Sequence, residues 1–267
     1  MLENILISVI CVGGLSLVFG AVLGLSAKKF AVKPDPVAEK VLGVLPGANC
    51  GGCGYPGCLV FAGHVAAGEA SYKGCPAAGA DGAVKIAEII GLDVSPAARK
   101  SAYVKCSGTD DDTKRNYFYD GPKSCVAASQ LATGGNKSCS YSCVGLASCQ
   151  HVCPFDAIRM VNGVAVIDGK KCTACGKCIP ACPKHLIEIA PDRCRVRVLC
   201  NSRDRAKVVK ANCRAGCFGC RICQKQCETG AVTVTDNIAR INYGKCTMCM
   251  HCVEKCPSKV IVITPSA

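Results

Sequence analysis

The chain has 267 residues, half of them apolar, and 26 of them are cysteine. A chain of this length and apolar content can bury a core, which excludes the short secreted scaffolds that depend on disulfides, so we expect reduced cysteines in a reducing compartment. The formal net charge of +13 suggests nucleic acid as a partner, but it counts every cysteine as a neutral thiol and must be revised if the cysteines bind metal.

The N-terminal segment is uncharged and almost entirely apolar over residues 5–25. As a helix that rises about 1.5 Å per residue, it would span about 31 Å, the thickness of the hydrocarbon core of a bilayer. A cleaved signal peptide is the alternative, but the chain starts with an acidic Glu3 and has no small-residue cleavage motif. We predict a transmembrane anchor over residues 1–28 and a proline-marked linker over 29–45, with the following lysines on the cytoplasmic side.

Residues 46–95 form a glycine-rich module whose four cysteines are separated by two, four and sixteen residues. Glycines between them lack a Cβ and allow the backbone to wrap closely around a metal group. A helical stretch before the last cysteine and an amphipathic helix over 82–92 complete the module. Cysteines at this open spacing suit a zinc ion or a [4Fe–4S] cluster, and the spacing leaves both open. The candidate ligands are Cys50, Cys53, Cys58 and Cys75.

A cysteine-rich run followed by a short apolar strand occurs four times in the rest of the chain. The runs lie 33 residues apart in the first pair and 29 in the second, and begin at Cys139, Cys172, Cys217 and Cys246. The last three read C-x2-C-x2-C-x3-C, the pattern in which three thiolates bind one [4Fe–4S] cube and the fourth binds its neighbour. We therefore predict two tandem two-cluster ferredoxin-like units, over residues 136–192 and 213–267.

Exchange of the fourth cysteine within each pair assigns the ligands of four cubes. For the first unit the predicted sets are Cys139, Cys143, Cys149 and Cys182, and Cys172, Cys175, Cys178 and Cys153. For the second unit they are Cys217, Cys220, Cys223 and Cys256, and Cys246, Cys249, Cys252 and Cys227. A zinc ribbon needs neither the third cysteine at this spacing nor the fourth before proline, so the pattern favours iron–sulfur clusters over zinc. Two departures are the wider spacing of the first run and a glutamate after Cys227.

Further cysteines lie in or beside two connecting segments, over residues 96–135 and 193–212. They frame the start of the first unit and the join between the units, and together they number four, which is what a sixth cube requires. We predict that they bind it; the alternative is that they are buried, unreactive thiols. These cysteines are Cys106, Cys125, Cys200 and Cys213.

Bound clusters change the charge balance and the expected partners. A cube with its thiolates carries about −2, so five cubes lower the net charge to about +3 and six to about +1. The basic residues are then mainly counter-charge, and we expect no nucleic acid partner. Glycine-rich nucleotide-binding motifs and catalytic triad motifs do not occur in the sequence. We therefore predict a chain that transfers electrons and has no catalytic residues of its own.

The order of these modules resembles the B subunit of the Rnf complex, the membrane ferredoxin:NAD+ oxidoreductase of bacteria. The residues that carry the resemblance are the apolar helix 5–25, the motif NCGGCGYPGC with Cys75, and the ferredoxin cysteines; the second unit resembles the long clostridial form. The resemblance implies an α+β protein with one transmembrane helix in the bacterial inner membrane. It also implies five [4Fe–4S] clusters or six, one of them in the glycine-rich module. The implied partners are reduced ferredoxin as electron donor and the membrane and flavin-bearing subunits of an ion-translocating complex.

Basic residues near the cysteines of the second unit would attract an acidic ferredoxin or only balance the cluster charge. They are Arg214, Arg221, Lys225, Lys245 and Lys255. Two other functions stay open at this point. The same kind of subunit serves a complex that keeps a redox-responsive transcription factor reduced, and the cysteines would also suit a membrane-tethered zinc-binding adaptor without redox activity.

Overall fold

The N-terminal helix α1 (Leu2–Lys29) stands apart from the rest of the fold in its exposure. The structure, a computed structural model, describes residues 2–29, 35–92, 99–131 and 133–265, without the side chains of residues 2–11 and 27. From Val12 to Leu25 the large apolar side chains of α1 are exposed. Among the described residues, no helix is long and apolar enough to cross a membrane. The predicted anchor over 5–25, part of which falls outside the described side chains, is therefore not confirmed.

Helices build the glycine-rich module. They are α2 (Pro36–Val44), α3 (Cys58–Ala66), a short 3-10 helix (Pro76–Ala78) and α4 (Gly79–Ile90). The helices predicted before Cys75 and over 82–92 are present as α3 and α4. Their buried side chains meet in one core that includes Val41, Phe61, Val65 and Ile86.

The predicted linker over 29–45 contains part of this module. Helix α2 begins at Pro36 because the Asp35 carboxylate accepts a hydrogen bond from the Val37 N–H (2.8 Å), and because proline is tolerated in a first turn. Val41 of α2 is fully buried in the core of the module. The prolines here mark the start of a helix, and not only a spacer.

The first ferredoxin-like unit contains two antiparallel strand pairs. Strand β1 (Lys100–Val104) pairs with β4 (Ile187–Pro191), and β2 (Ile158–Val161) pairs with β3 (Val164–Ile167). In the registers, Ala102 lies opposite Ile189 and Ile158 lies opposite Ile167. Two short helices, α5 (Cys125–Ser129) and α6 (Ser148–His151), carry cysteines toward the strands.

The second unit repeats this arrangement. Strand β5 (Val196–Val198) pairs with β8 (Ile261–Ile263), and β6 (Val232–Thr235) pairs with β7 (Ile238–Ile241). Its helices are α7 (Ala206–Asn212), α8 (Ile222–Lys225) and α9 (His251–Glu254). The four predicted strands that follow the cysteine runs are present as β2, β4, β6 and β8. Strands β1, β3, β5 and β7 were not predicted. Strands β3 and β7 pair with the preceding β2 and β6, whereas β1 and β5 arise from the connecting segments and complete the two units.

A buried arginine joins the two units. Arg197 of β5 is 2 % exposed, and its guanidinium lies between the rings of Tyr103 and Tyr243, 5.1 and 4.8 Å from their centroids. It donates hydrogen bonds to the carbonyls of Cys194, Val196 and Pro191. The two tyrosine hydroxyls are 2.8 Å apart. Because Tyr103 belongs to the first unit and Tyr243 to the second, this cluster fixes the units against each other.

Candidate cluster-binding sites

The cysteines of the described residues all carry free thiols, so this part of the chain builds no disulfide scaffold. Most of these thiols are buried or half-buried, and among them only Cys220 and Cys249 are exposed. Their soft sulfur donors suit iron–sulfur clusters and zinc, and the arrangement of the cysteines has to distinguish the two.

Two cavities in the ferredoxin-like units are each lined by four cysteines. The cavity of the first unit is lined by Cys153, Cys172, Cys175 and Cys178. The cavity of the second unit is lined by Cys217, Cys220, Cys223 and Cys256. Each combines three cysteines of one run with the fourth cysteine of the neighbouring run. The structure thus brings together two of the four predicted ferredoxin sets as they were predicted.

The other set of the second unit also comes together, with one additional cysteine. Burial raises the pKa of the Cys252 thiol to about 11, and a smaller contribution comes from the nearby thiols of Cys246, Cys249 and Cys227. Cys194, which is 1 % exposed, lies within hydrogen-bonding reach of Cys246. None of the predicted sets includes Cys194, because this cysteine has no place in the spacing of the runs.

The other set of the first unit differs from the prediction in one member. Burial raises the pKa of the Cys149 thiol to about 12, and a smaller contribution comes from the nearby thiols of Cys143, Cys125 and Cys182. Cys125 is held there because its N–H donates to the Ser148 hydroxyl (2.9 Å), next to Cys149. The structure therefore groups Cys125 with this set in the place predicted for Cys139.

The physical reason lies in the wider spacing of the first run. Three residues separate Cys139 from Cys143, where a standard run has two. The extra residue allows a tight turn in which both the N–H and the hydroxyl of Ser142 donate to the Cys139 carbonyl (3.0 and 2.7 Å). This turn directs Cys139 into another cavity. The wider spacing of the run was the sequence feature that indicated a departure from the standard ligand set.

That cavity lies between the two units. The cysteines that line it are Cys106, Cys139, Cys200 and Cys213. The predicted sixth set contained Cys125 instead of Cys139, so the structure exchanges these two cysteines between neighbouring sites. Burial raises the pKa of the Cys139 thiol to about 11. A hydrogen bond from the Tyr141 N–H acts in the opposite direction, and the nearby thiols of Cys106 and Cys213 add to the rise.

The cysteines of the glycine-rich module are held close to the first unit. Cys50, Cys58 and Cys75 are buried, and the Cys58 N–H donates to the Asn49 side-chain oxygen (2.8 Å). Burial raises the pKa of Cys75, and the thiols of Cys53 and Cys50 act in the same direction. A Cβ on Gly52 would lie 2.9 Å from the Cys175 carbonyl oxygen, so this contact requires glycine.

Backbone N–H groups point at several of the sulfurs. Ala102 donates to Cys172 Sγ (3.3 Å) and Leu186 donates to Cys182 Sγ (3.4 Å). An N–H donor stabilises a thiolate relative to a thiol, and cluster ligands must be thiolates. These donors, the four-cysteine cavities and the all-sulfur donor sets fit [4Fe–4S] clusters.

The described residues contain no site for a single metal ion. Within the described ranges, no three His, Cys, Asp or Glu side chains are close enough to hold one metal ion. The thiolates of a cube bind different corner irons and lie farther apart than the ligands of a single ion, so this finding concerns mononuclear sites and leaves the cube geometry untouched.

The fourth cysteines of the second unit have an additional hydrogen-bonding partner. The Thr229 hydroxyl lies 3.6 Å from Cys227 Sγ, and the Ser258 hydroxyl lies 3.6 Å from Cys256 Sγ. Burial acts to raise the pKa of both thiols, but hydrogen bonds from these hydroxyls and from following backbone N–H groups outweigh it and lower the pKa. Their sulfurs are therefore prepared for the thiolate state.

The basic residues predicted to attract a donor are all exposed in the second unit. The Arg214 guanidinium also donates to the backbone carbonyl of Asp111, in the loop that follows Cys106. Arg214 therefore helps to connect the units, whereas Arg221, Lys225, Lys245 and Lys255 project beside the exposed Cys220 and Cys249 runs.

Three family descriptions match separate parts of the chain. The family described as "Putative Fe-S cluster" matches residues 45–77, and "LdpA Fe-S cluster-binding domain" matches residues 139–193. The family described as "4Fe-4S dicluster domain" matches residues 216–261. Iron–sulfur families thus cover the glycine-rich module and both ferredoxin-like units.

Similarity to several proteins extends over nearly the whole chain, and each of them is the B subunit of an ion-translocating complex. That of the Na(+)-translocating ferredoxin:NAD(+) oxidoreductase complex of Acetobacterium woodii is 42% identical, over 98% of this chain and 78% of the relative. That of the ion-translocating oxidoreductase complex of Methanosarcina acetivorans is 38% identical, over 97% of this chain and 99% of the relative. That of the proton-translocating ferredoxin:NAD(+) oxidoreductase complex of Clostridium ljungdahlii is 35% identical, over 92% and 88%.

Proposed function

The chain belongs to the family of B subunits of ion-translocating oxidoreductase complexes, and from that premise we propose that it is the iron–sulfur electron-transfer subunit of such a complex. Its membership agrees with the resemblance to the Rnf complex that its motifs predicted. Reduced ferredoxin is the proposed electron donor. Other membrane and flavin-bearing subunits are the proposed acceptors, and the oxidoreductase and translocase activity belongs to the complex.

The observation that carries this proposal is the four-cysteine cavity that each ferredoxin-like unit contains. Bound there, a [4Fe–4S] cube supplies one-electron chemistry at a potential that the protein tunes. The residues of this chain provide the thiolates, donate backbone N–H groups to the sulfurs and exclude water with buried strand residues such as Ile158, Val232 and Ile261. Such a chain has what an electron carrier requires.

We assign five cubes by combining the predicted patterns with the observed neighbours. The module would hold one cube, and each ferredoxin-like unit would hold two. The ligand sets are Cys50, Cys53, Cys58 and Cys75; Cys153, Cys172, Cys175 and Cys178; Cys125, Cys143, Cys149 and Cys182; Cys217, Cys220, Cys223 and Cys256; and Cys227, Cys246, Cys249 and Cys252.

The second unit is the proposed docking site for ferredoxin. Its Cys220 and Cys249 are exposed, so the two cubes of this unit would lie near the surface. Exposed basic residues surround them. Their positive charge attracts an acidic electron carrier over about 8–10 Å, the distance beyond which physiological salt screens the interaction. In the first unit the corresponding loop at Cys175 is covered by the glycine-rich module.

The N-terminal helix is the proposed attachment to the membrane part of the complex. Its exposed apolar side chains from Val12 to Leu25 have no packing partner among the described residues of this chain. A single-pass anchor, with the cysteine-rich part on the cytoplasmic side, would cover them and agrees with the basic residues Lys28 and Lys29 in the last turn. Removal of residues 1–28 should then release the protein from membranes without loss of iron.

The test of the function is a metal analysis combined with reduction by ferredoxin. Anaerobically purified full chain should contain at least about 20 irons, with equal sulfide and little zinc. Reduced ferredoxin should bleach its visible absorbance, while the zinc-reconstituted chain serves as a control that cannot accept electrons. Zinc in place of iron would overturn the proposal in favour of a non-redox adaptor, and iron that ferredoxin does not reduce would overturn the assignment of the donor.

A further inference from the structure

The cavity between the ferredoxin-like units draws its four cysteines from four separate segments. Cys106 follows β1 by two residues and Cys200 follows β5 by two residues, so they occupy equivalent positions of the internal repeat. Cys139 starts the first cysteine run, and Cys213 directly follows α7. The Ser107 N–H donates to the Leu199 carbonyl (3.0 Å), which joins the two strand ends beside the cavity.

The junction cavity resembles the two ferredoxin cavities in size and lining. Its volume of about 20 Å³ compares with about 20 and 10 Å³ for the ferredoxin cavities, and each of the three is lined by four cysteines. Apart from the cysteines, its walls include Leu199 and Val209 and the glycines Gly108 and Gly216. A cavity that holds four convergent thiols and matches its neighbours in volume can accommodate the same kind of group.

Two of its sulfurs accept backbone hydrogen bonds from cysteines of the adjoining ferredoxin sets. The Cys143 N–H donates to Cys106 Sγ (3.4 Å), and the Cys217 N–H donates to Cys200 Sγ (3.3 Å). Ser202 provides a second N–H to Cys200 Sγ (3.5 Å). These donors favour the thiolate form that a metal cluster needs, and they place the junction cavity directly against a ligand of each unit.

The walls of the cavity also allow close approach and supply positive charge. A Cβ on Gly108 would lie 3.2 Å from Cys213 Sγ and 3.8 Å from Cys106 Sγ, so glycine leaves room between these sulfurs. Lys137 is 2 % exposed and donates to the carbonyls of Gly108 and Gly163 (2.9 Å each). Its charge, shared with Asp110 at 3.5 Å, lies behind the cavity wall and would offset part of a cluster's negative charge.

We propose that Cys106, Cys139, Cys200 and Cys213 bind a sixth [4Fe–4S] cluster that bridges the two ferredoxin-like units. The proposal rests on the proposed function, since it assumes that the chain carries iron–sulfur clusters. It assigns Cys139 to the bridge and Cys125 to the first unit, in contrast to the assignment that the run pattern favours. The cysteine sites then form an unbroken series from the glycine-rich module, through the first unit and the junction, to the second unit.

Iron counts on paired cysteine variants of the anaerobically purified full chain test this assignment. The wild type should contain about 24 irons, and Cys106→Ala should contain about 20, because each cube holds four. If Cys106 and Cys139 serve the same cube, the variant Cys106→Ala/Cys139→Ala should also retain about 20. Cys106→Ala/Cys125→Ala should fall to about 16, since it would disable two cubes. Cys11→Ala is the control, a cysteine of the N-terminal helix outside all six sets, and it should keep about 24.

The opposite pattern in the double variants, about 16 irons with Cys139 and about 20 with Cys125, would overturn the ligand assignment. A wild-type count of about 20 that does not fall in Cys106→Ala would overturn the sixth cluster while leaving the proposed function intact. Should the variants fail to fold, native mass spectrometry of the wild type decides the number of clusters. Six additions of about 350 Da support the bridge, five contradict it, and none contradicts the proposed function itself.

Discussion

The two ferredoxin-like units have related cysteine patterns but differ in how they are covered. In the second unit the middle cysteines of both runs, Cys220 and Cys249, are exposed. In the first unit the corresponding Cys143 and Cys175 are half-buried, and the glycine-rich module packs on the Cys175 loop through Gly52. One sequence pattern therefore yields an open unit suited to an external partner and an enclosed unit suited to internal transfer.

The units also differ at the residue two positions after each fourth cysteine. The second unit has the hydroxyls of Thr229 and Ser258 there, each 3.6 Å from a sulfur. The first unit has Phe155 and Lys184 at these positions. Hydrogen bonds to the ligand sulfurs raise cluster potentials, so we expect the open unit to be tuned differently from the enclosed one.

The largest expected effect comes from breaking the contact that holds the units together. Arg197→Met would leave the buried carbonyls of Cys194 and Pro191 without their donor and remove the cation between two tyrosine rings. We expect a loss of about 2–4 kcal/mol and a fall in Tm of about 5–15 °C, measured by anaerobic scanning calorimetry. Exposed Arg203→Met is the control, and an equal effect of both variants would contradict a specific role for Arg197.

The next effect concerns the pH dependence of cluster insertion. Burial raises the pKa of the third cysteine of each run in both units, to about 12 for Cys149, Cys178 and Cys223 and to about 11 for Cys252. A raised pKa keeps a thiol protonated at neutral pH, and its thiolate fraction grows about tenfold per pH unit below that pKa. Reconstitution of both units should therefore accelerate as the pH rises from about 7 to about 9.

Matched variants separate the units in this experiment. Cys149→Ala/Cys178→Ala disables both cubes of the first unit, and Cys223→Ala/Cys252→Ala disables both cubes of the second. The rate of iron uptake by each, followed by absorbance, should rise with pH in both variants, since each remaining unit keeps thiols of raised pKa. A rate that does not change with pH in either variant would show that thiol ionisation does not limit assembly.

A smaller, several-fold effect is expected on donor recognition. Substitution of Arg221, Lys225, Lys245 and Lys255 by glutamine should raise the KM for reduced ferredoxin about 3- to 10-fold at low salt, and less at high salt because of screening. The control replaces four exposed basic residues of the first unit, Arg159, Lys170, Lys171 and Lys177. Similar KM values in both variants would mean that the basic residues only balance cluster charge.

The smallest effect concerns the cluster potentials. Thr229→Val and Ser258→Ala should each lower one midpoint potential of the second unit by about 20–60 mV, the equivalent of one hydrogen bond. Phe155→Thr should raise a potential of the first unit by a similar amount, and Thr229→Ser should change little because it keeps the hydroxyl. Potentials followed by electron paramagnetic resonance would contradict this account if Thr229→Val and Thr229→Ser behaved alike.

Local patterns in the sequence predicted the elements that local chemistry determines. The strand after each cysteine run and the helices of the glycine-rich module are short apolar or periodic stretches beside fixed ligands, and the structure contains them. The sequence alone also contains the difference between the hydroxyl residues Thr229 and Ser258 of the second unit and their counterparts Phe155 and Lys184 in the first.

Long-range pairing accounts for what sequence reasoning missed. Strands β1 and β5 gain their partners β4 and β8 from residues more than 60 positions away, and they are only five and three residues long. The exchange of Cys125 and Cys139 depends on which way a turn directs a side chain. The three-residue gap before Cys143 was the available signal, but it indicates a departure without its direction.

The junction cavity has a consequence for biogenesis. Its cysteines extend from Cys106 to Cys213, so the site is complete only after most of the chain has left the ribosome and both units have docked. A bound sixth cluster would therefore show that the protein is fully synthesised and folded, because its four ligands meet only when both units are correctly assembled. Under iron starvation, chains that lack this cluster would keep the two units and the Arg197 contact between them, but would lose the iron–sulfur bridge at the junction.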